Sequence, residues 1–138
     1  MNDQMSMIAL VKEKIMADPF ARHLNMRFLD IRPGYARVEM VVPDYLCNFH
    51  GGAHGAAIFS VADVAFSAAS NAGGTIAVAL SVTITYLQAS QPGAILTAEA
   101  GEESEGRRTR LYRVKVKDEK NNLIAIFEGL VYRKGEHR

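Results

Sequence analysis

One short stretch of the sequence combines a carboxylate, a histidine and glycine inside an otherwise small and apolar segment. Asp63 lies within SVADVAFS, where an aspartate is unusual among valine, alanine and phenylalanine unless it is paired or functional. His54 and Gly55 precede it at the expected start of the same helix. Because a helix start offers free backbone N–H groups and a positive dipole end, it can stabilise an oxyanion. The pattern predicts chemistry at a carbonyl group, with a structural hydrogen bond across a subunit interface as the alternative role of Asp63.

The spacing of Gly55 and Asp63 limits how they can cooperate. They are eight residues apart, which on a helix separates them by about 12 Å and by about 80° around the axis. One chain therefore cannot apply both to the same carbonyl. Two antiparallel long helices around a two-fold axis would bring Asp63 of one chain near Gly55 of the other. If both residues serve one reaction, the active site must be shared between subunits.

Hydrophobic periodicity predicts the elements that position these residues. We expect a helix at about 5–17, strands at 26–31 and 35–42, the long helix at 53–72, strands at 75–87, 95–103, 108–117 and 123–133, and a frayed tail at about 134–138. The clearest signal is the strict alternation of apolar with small or polar residues at 75–87. This order indicates an α+β fold with an antiparallel sheet around one central helix. Since one helix cannot cover both faces of such a sheet, we expect a homo-oligomer.

The composition of the chain limits the classes of function that it can have. A chain of 138 residues with 49% hydrophobic and 22% charged residues predicts a single folded domain over 1–138. The net charge of +1 indicates neither nucleic-acid nor membrane partners. One cysteine, Cys47, and four histidines without metal-ligand spacing predict no metal site. The charged N-terminal segment lacks the pattern of a signal peptide, and Asp63 argues against a membrane span at 53–72, so we expect a cytoplasmic protein.

A wider pattern resembles a known family. Asn48 is followed six residues later by His54-Gly55-Ala56 and then by Ala62-Asp63, a spacing similar to that of hotdog-fold acyl-CoA thioesterases of the PaaI type, which are associated with phenylacetate degradation. The similarity continues through TITYLQ, GRRTRLYRVKVKDEKNNLIA and FEGLVYR, and covers about residues 26–133. The resemblance implies a curved antiparallel sheet wrapped around the long helix. It also implies dimers through adjoining sheets, often paired into a homotetramer.

The resemblance also implies roles for the central residues. Asp63 would activate water or attack the thioester itself, and the Gly55 backbone N–H would polarise the thioester carbonyl. Asn48 would position the water or the loop, although capping a turn is an equal alternative. His54 is expected to hydrogen-bond the backbone at the helix start rather than act as a general base. The literal His50-Gly51-Gly52 has the wrong spacing to Asp63 and is expected to be loop.

Further residues are candidates for substrate binding. Ala56 replaces the second glycine of the family pattern; it keeps its N–H, but its methyl group narrows the pocket. Ser81 and Thr83 lie on the small polar face of the predicted central strand, where they either line the pocket or only space the sheet from the helix. Arg107, Arg108 and Arg110 belong to a strongly basic stretch. They either bind the phosphates of coenzyme A or form cross-strand ion pairs with the glutamates that precede them.

The expected activity is hydrolysis of an aryl-acetyl or medium-chain acyl-CoA to the free acid and coenzyme A. Coenzyme A is then part of the substrate, and no separate cofactor is implied. One alternative is a hotdog dehydratase or hydratase that pairs His54 with a carboxylate of the opposite helix. Another is a non-catalytic acyl-CoA binding module, which would not need Asp63.

Overall fold

A computed structural model describes residues 3–136 of the chain. In chain order the elements are α1 (Asp3–Met16), α2 (Pro19–His23), β1 (Arg27–Arg32), β2 (Tyr35–Val41), a 3-10 turn (Asp44–Leu46), α3 (Gly55–Asn71), β3 (Thr75–Tyr86), β4 (Ile95–Glu105), β5 (Thr109–Lys117) and β6 (Leu123–Glu136). The strands form one antiparallel sheet in the order β1-β2-β4-β5-β6-β3, so β1 and β3 are its edges. Helix α3 contacts all six strands. The predicted α+β architecture around one long helix is confirmed.

The core lies between α3 and the concave face of the sheet. Phe66 of α3 is almost fully buried, and its ring contacts Tyr112 of β5 and Phe127 of β6. Gly129 of β6 makes this packing possible, since a Cβ atom there would lie 2.5 Å from Cζ of Phe66. The small residues of α3 allow similarly close approach elsewhere along the helix. Among residues 3–136, no helix is long and apolar enough to cross a membrane.

Strand β3 departs from the simple alternation that its sequence suggests. Its pairing with β6 is irregular at two points, between Ile76 and Ala77 and between Ala79 and Ser81. Each irregularity changes which face the following side chains occupy. Val82 and Ile84 therefore pack against the core, whereas Leu80 is 56% exposed. A long edge strand with exposed apolar side chains is an edge that native proteins normally cover.

Several predicted boundaries change. Residues 134–136 are not a frayed tail, because β6 continues to Glu136 and pairs with the start of β3. The last two residues, 137–138, lie outside the described part of the chain. The long helix was expected at 53–72 but begins at Gly55, since His54 caps it, and ends at Asn71. The loop before it contains the short 3-10 turn, which the sequence pattern does not show.

Candidate active site

The start of α3 is held by its own cap. Nδ1 of His54 accepts a hydrogen bond from the Ala56 N–H at 3.0 Å, and the His54 carbonyl accepts from Ala57 and Ile58. The expected backbone-bonding role of His54 is therefore present. The Ala56 N–H, which was expected to be available to substrate, is bonded to His54 in this conformation. The Gly55 N–H, in contrast, donates to no acceptor within residues 3–136.

Tyr86, at the end of β3, supports the same helix start. Its hydroxyl donates to the Gly55 carbonyl at 3.0 Å. A Cβ atom at Gly55 would lie 3.3 Å from Cζ of the Tyr86 ring, so the ring lies directly against this glycine. Sequence reasoning missed Tyr86 as a site residue. Its position at the end of the alternating strand, within the TITYLQ similarity, was the available signal.

Asn48 organises the loop in front of the helix. Its side-chain Oδ1 accepts from the backbone N–H groups of His50 at 3.0 Å and Gly52 at 3.3 Å. Gly51 occupies the turn with a φ of +88°, which favours glycine. His50-Gly51-Gly52 is therefore a capped turn, as expected. This arrangement gives Asn48 the turn-capping role that was one of its two predicted alternatives.

Asn48 and Gly55 line one cavity of about 490 Å³, which we call the Gly55 cavity. Tyr86, Gln88 and the backbone at Gly52 contribute to the same walls. A capped turn, a helix start and a strand end meet there and supply backbone and amide groups, while Ile58 and Leu87 add apolar surface. The cavity can therefore contact both polar and apolar parts of a substrate.

Asp63 lines a different cavity, of about 520 Å³, which we call the Asp63 cavity. It lies between α3 and α1, and its charged lining groups are Asp63 itself, Asp18 and Lys14. Burial raises the pKa of Asp63, and the negative charge of Asp18 raises it further. A carboxylate whose pKa is raised towards neutrality is a better proton acceptor than an exposed one. Within one chain, Asp63 and Gly55 are thus not brought together.

The predicted pocket residues of β3 lie apart from both cavities within the chain. Ser81 pairs with Leu130 and Thr83 with Glu128 of β6, and both side chains are exposed. Neither lines the Gly55 cavity or the Asp63 cavity. They lie instead on the edge strand that has no neighbour in the sheet on its outer side.

The three arginines of the basic stretch have different surroundings. Arg107 and Arg108 are exposed in the turn between β4 and β5, and both of their carbonyls accept hydrogen bonds from Arg133. Arg110 is largely enclosed and forms an ion pair with Glu102 at 2.8 Å. The hydroxyl of Tyr112 donates to the same Glu102 oxygen at 2.9 Å. The predicted trio thus divides into an exposed pair and one arginine engaged in an internal network.

This arginine turn lies at the C-terminal end of α3. A cavity of about 230 Å³ is lined there by Ser70 and Gly73 together with Arg110 and Arg133. Asp63 lies in the middle of the helix and Gly55 at its start. The exposed arginines are consequently at the opposite end of α3 from the Gly55 cavity of the same chain.

Known proteins place the chain in a family. The thioesterase superfamily model matches residues 50–125, which is more than half of the chain. The acyl-coenzyme A thioesterase PaaI of Escherichia coli is 34% identical over 118 residues, covering 86% of this chain and 84% of that protein. The solved structure of E. coli PaaI, from the phenylacetic acid degradation operon, has a TM-score of 0.90 at 29% identity, over 97% of this chain and 98% of the other.

Two further solved structures are similar. The TT0310 protein of Thermus thermophilus has a TM-score of 0.81 at 42% identity, over 85% of this chain and 98% of the other. The smu.793 protein of Streptococcus mutans, bound to acetyl CoA, has a TM-score of 0.79 at 26% identity, over 83% of this chain and 92% of the other. With this family match and this fold, the chain belongs to the thioesterase superfamily. It is a hydrolytic enzyme built on the hotdog fold.

Proposed function

We propose that the chain hydrolyses the thioester bond of an aryl-acetyl or medium-chain acyl-CoA to the free acid and coenzyme A. One observation carries the proposal: α3 holds both Asp63, with a raised pKa, and a Gly55 N–H that has no acceptor within residues 3–136. These are the two groups that thioester hydrolysis needs, a proton acceptor or nucleophile and an oxyanion donor. The named activity of E. coli PaaI and the acetyl CoA bound by smu.793 support the choice of acyl-CoA.

The reaction follows from these groups. The Gly55 N–H donates to the thioester oxygen as negative charge develops there. Asp63 either takes a proton from the attacking water or attacks the carbonyl carbon itself. In the first route the water oxygen bonds to that carbon and the C–S bond breaks; coenzyme A leaves as a thiolate and is protonated. In the second route a carboxylate oxygen of Asp63 bonds to the carbonyl carbon, and the C–S bond breaks to release coenzyme A as a thiolate, which is then protonated. Water cleaves the resulting mixed anhydride, which gives the free acid and regenerates the carboxylate.

We further propose that two subunits share each active site. In one chain, Gly55 and Asp63 line different cavities and are separated by about 12 Å along α3. An antiparallel pair of α3 helices around a two-fold axis would place Asp63 opposite Gly55 of the partner subunit and create two equivalent sites. The uncovered β3 edge, with Leu80 exposed, supports a homodimer that continues the sheet. In that arrangement Ser81 and Thr83 lie at the subunit boundary, and two dimers would pair into the tetramer.

The same symmetry suggests where the coenzyme A phosphates bind. Antiparallel pairing brings the C-terminal end of one α3 beside the start of the other. Arg107 and Arg108, at that C-terminal end, would therefore lie near the Gly55 cavity of the partner subunit. Their exposed guanidinium groups suit phosphate. Arg110 is assigned a supporting role, because its guanidinium group already pairs with Glu102.

The two alternative functions receive less support. A dehydratase would need the His54 imidazole for proton transfer, but its Nδ1 is engaged in capping α3. A non-catalytic binding module has no need for a partly buried carboxylate, whose ionised form is disfavoured by burial.

Replacing Asp63 tests the proposed function. Asp63→Asn keeps the size and polarity of the side chain but removes the proton acceptor and nucleophile, so kcat for acyl-CoA hydrolysis should fall at least about 100-fold. Release of free thiol from a panel of acyl-CoA thioesters measures the effect. Because the folded-state pKa of Asp63 is raised, its ionised form opposes folding above that pKa, and Asp63→Asn should not lower Tm at neutral pH.

The matched control is Glu119→Gln, which removes one negative charge from the exposed turn between β5 and β6. It should retain full activity. Near-native turnover by Asp63→Asn would overturn the proposed role of Asp63.

A further inference from the structure

The two cavities on α3 are lined by different side chains. The Gly55 cavity is lined by the amide side chains of Asn48 and Gln88 and by the backbone of the Asn48 turn, together with Ile58, Tyr86 and Leu87. The Asp63 cavity has large aliphatic and aromatic side chains on its wall, Val11 and Ile15 from α1, Phe20 from α2 and Phe28 from β1, beside the polar side chains of Lys14, Asp18, Ser67 and Asn71. A thioester carbonyl held between Asp63 and an oxyanion donor has an apolar acyl group on one side and an amide-containing arm on the other. The large aliphatic and aromatic side chains of the Asp63 cavity suit the apolar acyl group.

We propose that the acyl group of the substrate lies in the Asp63 cavity, between α1 and α3, and that Ile15 and Phe20 limit its size. The inference rests on the proposed function and adds the part of the fold that selects the acyl group. The coenzyme A arm then leaves through the Gly55 cavity of the partner subunit. The N-terminal helix is thereby a specificity-determining element rather than a cover for the core.

The placement of α1 supports this assignment. Val11 and Ile15 are four residues apart, so they lie on the same face of α1 and point towards α3. Val11 is 1% exposed, whereas Ile15 is only partly buried and packs against the core at the cavity wall. Phe20, which is 52% exposed, continues this wall in α2. Ile15 and Phe20 can therefore change in size without removing a fully buried core residue.

The cavity has the dimensions of a ligand site. Its volume of about 520 Å³ falls within the range of about 300–1,000 Å³ that is usual for small-molecule pockets. An apolar wall of this kind accommodates a phenyl ring or a medium-length alkyl chain. Polar groups also reach the wall: Lys14 on α1, Asp18 directly after it, and Asp63, Ser67 and Asn71 on α3.

The test compares substrate profiles of the full-length oligomer. We measure kcat/KM for the native protein and for Ile15→Ala, Ile15→Phe and Phe20→Ala. The substrates are phenylacetyl-CoA and straight-chain acyl-CoA thioesters of two to twelve carbons (about the span of short to medium chains). Because one methylene in an apolar pocket changes discrimination by about 10-fold or more, Ile15→Ala and Phe20→Ala should move the preferred chain length upward. Their ratio of long-chain to short-chain kcat/KM should rise about 10-fold. Ile15→Phe should lower the same ratio.

Leu10→Ala is the matched control, since Leu10 lies on α1, is 47% exposed and does not line the cavity. It should leave the profile unchanged. Phe20→Ala changes a surface side chain, so it tests the acyl-site assignment even if the Ile15 variants do not fold. Native hydrolysis with the same profile in every folded variant would overturn the acyl-site assignment alone. Absence of hydrolysis of every thioester by the native protein would instead overturn the proposed function.

Discussion

The start and the middle of α3 hold the two groups of the proposed active site in different surroundings. At the start, Gly55 is held on several sides by fixed hydrogen bonds: His54 caps the helix, Tyr86 donates to the Gly55 carbonyl, and Asn48 closes the preceding turn. In the middle, Asp63 lies in a cavity of similar volume, whose other charged lining groups are Asp18 and Lys14. The start presents a preorganised donor, and the middle presents a carboxylate with a raised pKa.

This difference explains why neither Gly55 nor Asp63 alone is sufficient for thioester hydrolysis. A preorganised N–H stabilises an oxyanion but supplies no nucleophile, and a carboxylate without an oxyanion donor leaves the developing charge unstabilised. A rigid helix keeps the two about 12 Å apart. In the proposed mechanism, a second copy of the chain, related by symmetry, would bring the two groups to one carbonyl.

The strongest test of this comparison is to disrupt each group in a different subunit. Asp63→Asn removes the carboxylate, and Gly55→Val places branched carbons where a Cβ atom is already 3.3 Å from the Tyr86 ring. Each homodimer should be inactive. After unfolding and refolding of an equal mixture, about a quarter of the native activity should return, since random pairing makes half of the dimers mixed and each has one intact site.

Thiol release measures the activity, and native mass spectrometry of differently tagged chains confirms that mixed dimers form. Mixed dimers without activity would show that Gly55 and Asp63 do not serve one shared site. Refolded native protein is the control for recovery.

A second, smaller effect separates the exposed arginines from the enclosed one. Arg107→Ala combined with Arg108→Ala should raise KM for acyl-CoA about 10-fold, which corresponds to a loss of about 1.4 kcal/mol of binding. It should leave KM unchanged for an acyl thioester that lacks the nucleotide. Steady-state kinetics with the two substrates measures the contrast.

Arg110→Ala is the informative counterpart. Because it removes the partner of Glu102 beside Tyr112, it should lower Tm more than the double variant does. Arg37→Ala, at an exposed position of β2, is the control for loss of one surface charge. Equal effects of the double variant on both substrates would assign Arg107 and Arg108 a structural role.

The smallest expected effect concerns the pH dependence of hydrolysis. Burial and then Asp18 raise the pKa of Asp63, so activity that requires the ionised carboxylate falls as pH drops through that raised value. Asp18→Asn removes the lesser of the two causes, and the acid limb of kcat/KM should move to lower pH. The asparagine still accepts the hydrogen bond from the Ala21 N–H that caps α2, at 2.9 Å in the native chain.

The pH–rate profiles of the native protein, Asp18→Asn and Glu119→Gln measure the position of the acid limb. After Asp18→Asn, Lys14 is the remaining charged group that lines the cavity beside Asp63. An acid limb that does not move in Asp18→Asn would show that burial alone sets the pKa of Asp63.

Sequence reasoning recovered the elements better than the contacts. The long helix, the six strands and the candidate pair Gly55 and Asp63 follow from periodicity, from a polar residue in an apolar helix and from the family spacing. The role of Tyr86 did not follow, because its contact with Gly55 joins residues 31 positions apart. The irregular pairing of β3 was equally hidden, since local alternation reads the same with or without a bulge.

The sequence also did not show which hydrogen-bond donors are already paired in the folded chain. The Ala56 N–H looked available, but the rotamer of His54 brings Nδ1 within 3.0 Å of it. Arg107, Arg108 and Arg110 looked equivalent, but the β4–β5 register brings only Arg110 against Glu102. Strand pairing and side-chain packing decide such choices, and both depend on distant parts of the chain.

By itself, the sequence determined which residues of the long helix are candidates for chemistry, because residue types and helical spacing are local properties. It also determined that Gly55 and Asp63 of one chain cannot meet, since the rise of a helix depends only on the number of residues between them. The tertiary structure alone decided which groups surround each of them: the Asn48 turn and Tyr86 at Gly55, and side chains of α1 and Asp18 at Asp63. Burial beside α1 and the nearby charge of Asp18 raise the pKa of Asp63, and those surroundings come together only when the chain folds.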